Sequence, residues 1–303
     1  MKKPNFIIAG FPKCGTTSLH HYLDEHPEIY MPTQKELHFF TCNILSKLNK
    51  GPKDAIVKKT QINSSEKYLN FYKSVRNEIA IGDASPSYIN YPSQFKKIKE
   101  YLNDPKVIII LRDPIDRAYS NYLHLKREHR ETLTFKESIL KEDERKTNKY
   151  SDFWCYKFNS TYYDKIIKAK ETFSSVLILT SEELSHNGDA TLKNVYKFLE
   201  VDDNFKLKRK FNNFNKGGHF KENIFTKIIF QPSTLKNIIK KFVKPTPFLK
   251  IIISKIANIF SKKPKKIDAE SLKYLKKYFK KEDRKSTRLN SSHSSVSRMP
   301  SSA

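Results

Sequence analysis

The segment "GFPKCGTT", Gly10 to Thr17, lies between a short apolar run and a stretch with helical spacing. Phe6 to Ala9 predict a strand, and Thr16 to Glu25 predict a helix. A loop between a strand and the N-terminus of a helix presents unpaired backbone N–H groups at the positive end of the helix dipole, which favour a bound phosphate. The second glycine and the hydroxyl groups after it are therefore the predicted phosphate-binding residues: Gly15, Thr16, Thr17 and Ser18.

Lys13 lies between the two glycines of this loop. In an ATP-binding loop, G-x-x-x-x-G-K-[ST], the lysine follows the second glycine and reaches the β- and γ-phosphates, and the hydroxyl after it holds Mg²⁺. Thr16 occupies that lysine position here, which argues against ordinary triphosphate hydrolysis. A lysine within the loop can instead meet charge on a leaving group attached to a 5′-phosphate, without magnesium as intermediary.

The same order of strand, loop and helix recurs twice. Val107 to Leu111 is an uninterrupted apolar run rich in β-branched residues, which predicts a strand buried on both faces, and a helix follows it to about Glu128. Val176 to Thr180 predict a third buried strand, followed by a helix from Ala190 to Leu199. Buried strands that alternate with amphipathic helices predict an α/β fold, with a central parallel sheet flanked by helices.

Two segments carry a resemblance to a known family. "GFPKCGTTSLHHYLDEHP", starting at Gly10, resembles the 5′-phosphosulfate-binding loop of sulfotransferases that use 3′-phosphoadenosine 5′-phosphosulfate (PAPS). "VIIILRDPIDRAYSNY", Val107 to Tyr122, resembles the family's 3′-phosphate-binding segment, and Arg112 and Ser120 match its phosphate-binding arginine and serine. The resemblance covers about Asn5 to Glu282 and implies a three-layer P-loop-like fold and PAPS as sulfuryl donor, with no metal required.

Weaker landmarks of the same family are "GDASPSY", Gly82 to Tyr88, and "NKGGHFKE", Asn215 to Glu222. In relatives the Lys-Gly segment closes over the nucleotide. The resemblance therefore implies that Lys216, Gly217 and Gly218 contact the cofactor. A lysine-rich loop without ligand contact is the alternative for this segment.

Sulfuryl transfer requires an acceptor atom in line with the leaving phosphate, a group that removes the acceptor proton, and positive charge on the leaving group. Lys13 is the predicted leaving-group cation. "KELHFF", Lys35 to Phe40, resembles a segment of heparan-type glycan sulfotransferases in which a glutamate is the catalytic base. Glu36 matches that glutamate, and His38 could assist or replace it.

Other interpretations of these side chains stay open on the sequence alone. Glu36 could be a solvated loop carboxylate paired with Lys35, and His38 could be a packed member of an aromatic cluster. Cytosolic phenol sulfotransferases use a histidine elsewhere in the chain as base. Whether Glu36 is the base therefore also indicates which subfamily the chain resembles. Relatives often carry an acidic residue where this chain has Thr41, which leaves the acceptor contacts undetermined.

Histidines and cysteines elsewhere have no predicted catalytic role. His20 and His21 are predicted to be surface residues of the first helix. Cys14 lies in the loop, but it has no evident base partner and in-line transfer needs no covalent nucleophile. Cys14, Cys42 and Cys155 have neither the number nor the spacing of a disulfide framework or a zinc site, which favours a reducing compartment.

The net charge of +26 predicts a positive field that attracts anions, without specifying which anion. The N-terminal run "FIIA" is too short for a signal segment or a membrane span, so the chain is predicted to be cytoplasmic. The Lys-, Ile- and Asn-rich composition with few glycines suggests a bacterial source. The family resemblance and the "KELHFF" segment imply a carbohydrate hydroxyl or amine as acceptor, and in a bacterium a surface glycan or a glycolipid precursor would suit this class.

From Asn223 to Ile267 there are eleven lysines and no Asp or Glu, interleaved with apolar runs. This stretch could rest on an anionic membrane surface. The alternative is a solvated, lysine-coated helical layer packed on the sheet.

The chain is predicted to form one sulfotransferase domain, residues 1–282, truncated at its C-terminus. Residues 283–303 begin with "DRKSTRLNSSH", which resembles a translated sequencing adapter. This tail is therefore interpreted as sequencing read-through, expected to be disordered, and excluded from the fold. A natural Ser-rich tail is the alternative, and the oligomeric state is left open.

Two other classes of protein share single features with this sequence. A P-loop nucleotide kinase or NTPase would share the glycine loop, but Thr16 stands where its lysine should be. A nucleic-acid-binding protein is suggested only by the charge, since the sequence shows no recognition module. The sequence therefore favours a sulfotransferase over both.

Overall fold

The computed structural model describes residues 2–57, 61–207, 219–220, 261–262 and 266–280. Its main sheet has five parallel strands in the order β2-β3-β1-β4-β5. Their bounds are β1 Phe6–Gly10, β2 Ile29–Tyr30, β3 Ala80–Ala84, β4 Lys106–Leu111 and β5 Val176–Thr180. A separate antiparallel pair joins β6, His219–Phe220, to β7, Ser261–Lys262.

Helices cover both faces of the sheet, which confirms the predicted α/β architecture. Those between the strands are α1 Thr16–Leu23, α2 Cys42–Leu45, α3 Asp54–Val57, α4 Ser65–Asn70, α5 Phe95–Leu102, α6 Pro114–Arg127, α7 Phe135–Leu140, α8 Glu142–Thr147, α9 Tyr156–Ser160 and α10 Tyr163–Thr172. After β5 come α11 Ser181–His186, α12 Gly188–Leu199 and α13, residues 269–280.

The strand order determines where a ligand can bind. β1 lies at the centre of the sheet, with β3 on one side and β4 on the other. The connection that follows β1 leads to β2 on one side, and the connection that follows the adjacent β4 leads to β5 on the other side. In open α/β sheets the crevice outside the carboxyl ends of the strands at such a switch point is the usual ligand site.

The predicted strands are confirmed within one residue at each end. Val107 to Ile110 of β4 are completely buried, because β1 and β5 flank this strand and helices cover its faces. Ile108 pairs in register with Ile8 on one side and with Leu177 on the other. A continuous apolar run is therefore the appropriate sequence for this central strand.

A second cluster of buried side chains forms around α6, beside the sheet core. Trp154, Tyr156 and Phe135 pack there with Leu275 and Phe279 of α13. These two residues lie one turn apart on α13. The C-terminal helix thus packs against the same helix that carries Ser120.

Some expectations need correction. The first helix ends at Leu23, two residues earlier than predicted, and β2 and β3 were not predicted. His20, predicted to be a surface residue, is buried with 3% of its side chain exposed. Residues 223–260 and the tail beyond 280 lie outside the described residues. Within the described ranges, no helix is both long and apolar enough to span a membrane.

Candidate active site

A cleft of about 770 Å³ opens at the carboxyl ends of β1, β3 and β4. The loops after these three strands and the loop that contains residues 35–38 form its walls. Every predicted site residue within the described ranges lines this cleft: Lys13, Gly15, Thr16, Thr17, Ser18, Glu36, His38, Arg112 and Ser120. Lys216, Gly217 and Gly218 lie outside the described residues.

The glycine loop is held in shape by its neighbours. A Cβ on Gly10 would lie 2.2 Å from Cγ2 of Ile89, so this position admits no side chain without movement. Gly15 has φ of 101°, a conformation that favours glycine, and it directly precedes α1. Arg117 of α6 donates to the carbonyl of Pro12 at 3.4 Å and so ties the second motif segment to the first.

The Lys13 ammonium forms no hydrogen bond or ion pair within the part of the chain that the structure describes. Its burial, and next the charge of Arg127, lower the pKa of Lys13 to about 8. The residue has φ of 70°, the left-handed conformation that is costly for a residue with a side chain. An uncommitted cation on a strained loop suits a group that awaits an anionic ligand.

Arg112 and Ser120 form a second polar patch in the same cleft. Arg112 directly follows β4, and Ser120 lies on α6 two turns along. Asp113 caps this helix, accepting from the backbone N–H groups of Ile115 at 2.9 Å and Asp116 at 2.8 Å. Neither the Arg112 guanidinium nor the Ser120 hydroxyl bonds to another described residue, so both have donors available for a phosphate.

The predicted base lies opposite the loop, in contact with two partners. Lys35 donates to Oε1 of Glu36 at 2.7 Å and to Oγ1 of Thr16 at 3.3 Å. Nε2 of His38 is 3.7 Å from Oε2 of Glu36. Desolvation opposes ionisation of Glu36, but the charge of Lys35 and hydrogen bonding from His38 outweigh it, so its pKa lies well below the usual range. Glu36 is thus paired with Lys35 and also half exposed to the cleft, at 49%.

The residues after β3 hold His38 in place, which sequence reasoning missed. Nδ1 of His38 is 2.7 Å from Oγ of Ser87, and its backbone N–H donates to Oγ of Ser85 at 3.1 Å. Ser85 in turn donates to the buried carboxylate of Asp83 at 2.7 Å. Tyr68 and Tyr88 donate to the same carboxylate. From the sequence, "GDASPSY" is only a family landmark, yet its polar residues at a strand end are the signal for this support.

A polar wall on α6, also missed, continues the cleft beyond Ser120. Ser120, His124 and Glu128 are spaced by four residues and so share one helix face. Arg127 donates to Nδ1 of His124 at 2.9 Å, and the other ring nitrogen lies 3.2 Å from Glu128. Burial opposes ionisation of Glu128, but His124 and Arg130 lower its pKa to about 2. Arg130 also pairs with the buried Asp54.

Cys14 and His20 lie near the cleft but have no proposed role in it, and burial shifts the pKa of each. Burial raises the pKa of the Cys14 thiol to about 11, which agrees with the absence of a predicted nucleophilic role. Burial, and next the charge of Lys35, lower the pKa of His20 to about 4. Among the described residues no cluster of three or more side chains could hold a metal ion.

Comparisons with known proteins agree with this geometry. The profile of the Sulfotransferase family matches residues 4–204. The crystal structure of a sulfotransferase from Alicyclobacillus acidocaldarius superposes with a TM-score of 0.67 at 30% identity, covering 84% of this chain and 97% of that one.

Two curated relatives match shorter stretches. Membrane-associated sulfotransferase kil1 of Dictyostelium discoideum is 36% identical over 119 residues, which is 39% of this chain and 22% of its own length. Mouse Carbohydrate sulfotransferase 15 is 29% identical over 173 residues, or 45% of this chain and 30% of its own. The matched stretches thus span less than a third of either relative.

Proposed function

Because the chain belongs to the sulfotransferase family, we propose that it transfers a sulfuryl group from PAPS to a hydroxyl or amine of a carbohydrate or glycolipid. One observation carries this proposal. The glycine loop with Lys13 and the patch of Arg112 and Ser120 lie in one cleft, and their side chains have uncommitted donors. Two separate anion sites in one cleft suit a nucleotide with a 5′-phosphosulfate and a 3′-phosphate.

The roles follow from position. The loop N–H groups and hydroxyls bind the 5′-phosphosulfate, while Arg112 and Ser120 bind the 3′-phosphate. Lys13 stabilises negative charge on the bridging oxygen as its bond to sulfur breaks. Glu36 accepts the proton of the acceptor while the new bond to sulfur forms, and His38 keeps the carboxylate oriented. The products are the sulfated acceptor, adenosine 3′,5′-bisphosphate (PAP) and a proton.

The acceptor class rests on two supports. Carbohydrate sulfotransferase 15 is, by its name, a carbohydrate-modifying relative, and "KELHFF" resembles the segment of glycan sulfotransferases. Glu36, the residue that this resemblance names as base, lies in the cleft beside the loop. A cytoplasmic location and peripheral contact with an anionic membrane stay part of the proposal, and kil1 is named as membrane-associated.

Calorimetric titration of the chain with PAP tests the donor, with Arg112→Ala and Glu36→Gln as a matched pair. The wild type should bind PAP. Arg112→Ala should lose roughly tenfold or more in affinity, because a charged hydrogen bond to the 3′-phosphate disappears. Glu36→Gln should bind PAP as the wild type does, because the base faces the acceptor rather than the 3′-phosphate.

ATP serves as the competitor in the same titration. Displacement of PAP by magnesium ATP at comparable concentration would favour a P-loop nucleotide kinase or NTPase. Equal affinity of Arg112→Ala and wild type for PAP would contradict the assignment of the 3′-phosphate site. Salt-dependent binding to DNA or RNA without PAP binding would favour the nucleic-acid alternative.

A further inference from the structure

Lys35 occupies a position between the two halves of the proposed reaction. Its ammonium is 3.3 Å from Oγ1 of Thr16 in the glycine loop and 2.7 Å from Oε1 of Glu36. Its side chain is 14% exposed and lines the cleft. A lysine ammonium has three donors, so these two contacts leave one more donor for a ligand.

The backbone around Lys35 makes this position specific. The backbone N–H of Glu36 donates to the carbonyl of Ala84 at the end of β3, at 3.0 Å. This bond anchors the loop to the sheet, so the lysine reaches across to α1 from a supported position. Thr16 is 4% exposed and is the first residue of α1, where the helix dipole and free N–H groups attract an anion. An oxyanion seated there lies within reach of Lys35.

We propose that Lys35 is a second catalytic cation, which binds the oxygens of the sulfuryl group while it moves from the donor to the acceptor. This inference rests on the proposed PAPS donor. The bond between sulfur and the bridging oxygen breaks, and the electron pair stays on PAP beside Lys13. The acceptor oxygen or nitrogen bonds to sulfur, and its proton passes to Glu36. Lys35 supplies the positive charge that Thr16, in the place of an ATP-loop lysine, lacks.

The same contact couples donor binding to the base. In the free protein the Lys35 ammonium neutralises Glu36, which weakens that carboxylate as a proton acceptor. A sulfuryl oxygen competes for the ammonium, so the bound donor releases Glu36 at the moment when a base is needed. Three other titratable groups interact with Glu36: His38 on its own loop, His20 on α1 and Lys13 in the glycine loop. None of these three forms hydrogen bonds to both Thr16 and Glu36, as Lys35 does.

The test compares PAPS with PAP, which differ only by the sulfuryl group. Calorimetry without acceptor is done on the wild type, Lys35→Gln and Lys35→Arg, with Lys96→Gln on the exposed face of α5 as control. Lys35→Gln should weaken PAPS binding by about tenfold and change PAP binding less than twofold, since only the sulfuryl contact is lost. Lys35→Arg should recover much of the loss, and the control should match the wild type.

The kinetic arm uses water as acceptor and follows release of labelled sulfate from PAPS under single-turnover conditions. Lys35→Gln should slow release by about 10²-fold. The acid limb of its pH profile should move to higher pH, because Glu36 loses the cation that lowers its pKa.

The outcomes separate the two proposals. Wild-type protein that binds neither PAPS nor PAP overturns the proposed function and this inference together. Wild-type binding with equal loss of PAPS and PAP affinity in Lys35→Gln would mean that Lys35 only supports the loop. Unchanged PAPS affinity and sulfate release in that variant would also overturn the role of Lys35, while the donor assignment stands.

Discussion

Lys13 is a single residue whose ionisation should be visible in the rate. Its pKa is lowered to about 8 by burial and the charge of Arg127, so the ammonium is lost as the pH rises through that value. If Lys13 stabilises the leaving group, kcat/KM should fall above about pH 8. The profile of kcat should fall at higher pH, because bound phosphosulfate favours the charged form.

Lys13→Arg is the variant that tests this assignment, since guanidinium stays charged throughout the accessible range. Its kcat/KM should keep a plateau above pH 8, even at a lower rate. If kcat/KM of this variant falls at the same pH as that of the wild type, the titrating group is not Lys13.

At this scale the sequence predicted many of the side chains that line the cleft. Lys13, Arg112 and Glu36 follow from motifs, because each motif fixes both the residue type and its place at a strand end or loop. The surface position predicted for His20 was wrong, because helical spacing does not show which parts of a short helix are covered in the folded chain. Lys35 was seen only as a partner of Glu36, since its contact with Thr16 exists only after folding.

At the scale of elements, Arg117 connects α6 to the glycine loop. It is completely buried and donates to the Ser160 hydroxyl at 2.6 Å, to the Tyr156 carbonyl and the Asn121 amide at 3.0 Å, and to the carbonyl of Pro12. Arg117→Met should lower the free energy of unfolding by about 2–4 kcal/mol, because these acceptors lose their donor inside the protein. PAP affinity should fall as well, because the loop loses its support.

Urea unfolding and PAP titration of this variant check both effects, with Arg76→Met on the exposed surface as control. Full PAP affinity in a destabilised Arg117→Met would show that the loop keeps its shape without α6.

The strands that the sequence predicted best are β4 and β5, whose apolar runs give their bounds within one residue. The predicted burial of β5 was wrong, because this strand lies at the edge of the sheet and only Leu179 of its residues is buried. β3 was missed because "AIGDA" contains a glycine and an aspartate, which are both uncommon in strands. Asp83 is nevertheless stable there, since Ser85, Tyr68 and Tyr88 donate to it. Hydrogen bonds from other elements, which no local pattern contains, offset the propensity.

At the scale of the molecule, α13 should set the useful C-terminal limit of the domain. Leu275 is completely buried against α6 and α9, so Leu275→Ala should cost about 2–5 kcal/mol. A chain that ends after Glu282 should have the same melting temperature and PAP affinity as the full chain, because residues 283–303 are interpreted as read-through. Differential scanning calorimetry of the two lengths and of Leu275→Ala measures both effects.

A lower melting temperature for the shortened chain would instead support a natural tail. The sequence predicted the α/β architecture, because strands that alternate with helices leave few alternatives. It did not predict the cluster of α6 and α13, since the segment between them is long and its path depends on tertiary packing.

The positive φ angles of Lys13, Glu36 and His38, 70°, 64° and 53°, bear on how such an enzyme can be engineered. Each of these residues adopts the left-handed backbone conformation, which costs glycine and asparagine less free energy than other residues. A library selected for heat resistance alone would therefore accumulate Gly and Asn at these three positions and lose turnover while gaining robustness. Stabilisation campaigns on this scaffold should fix these codons and diversify the rest.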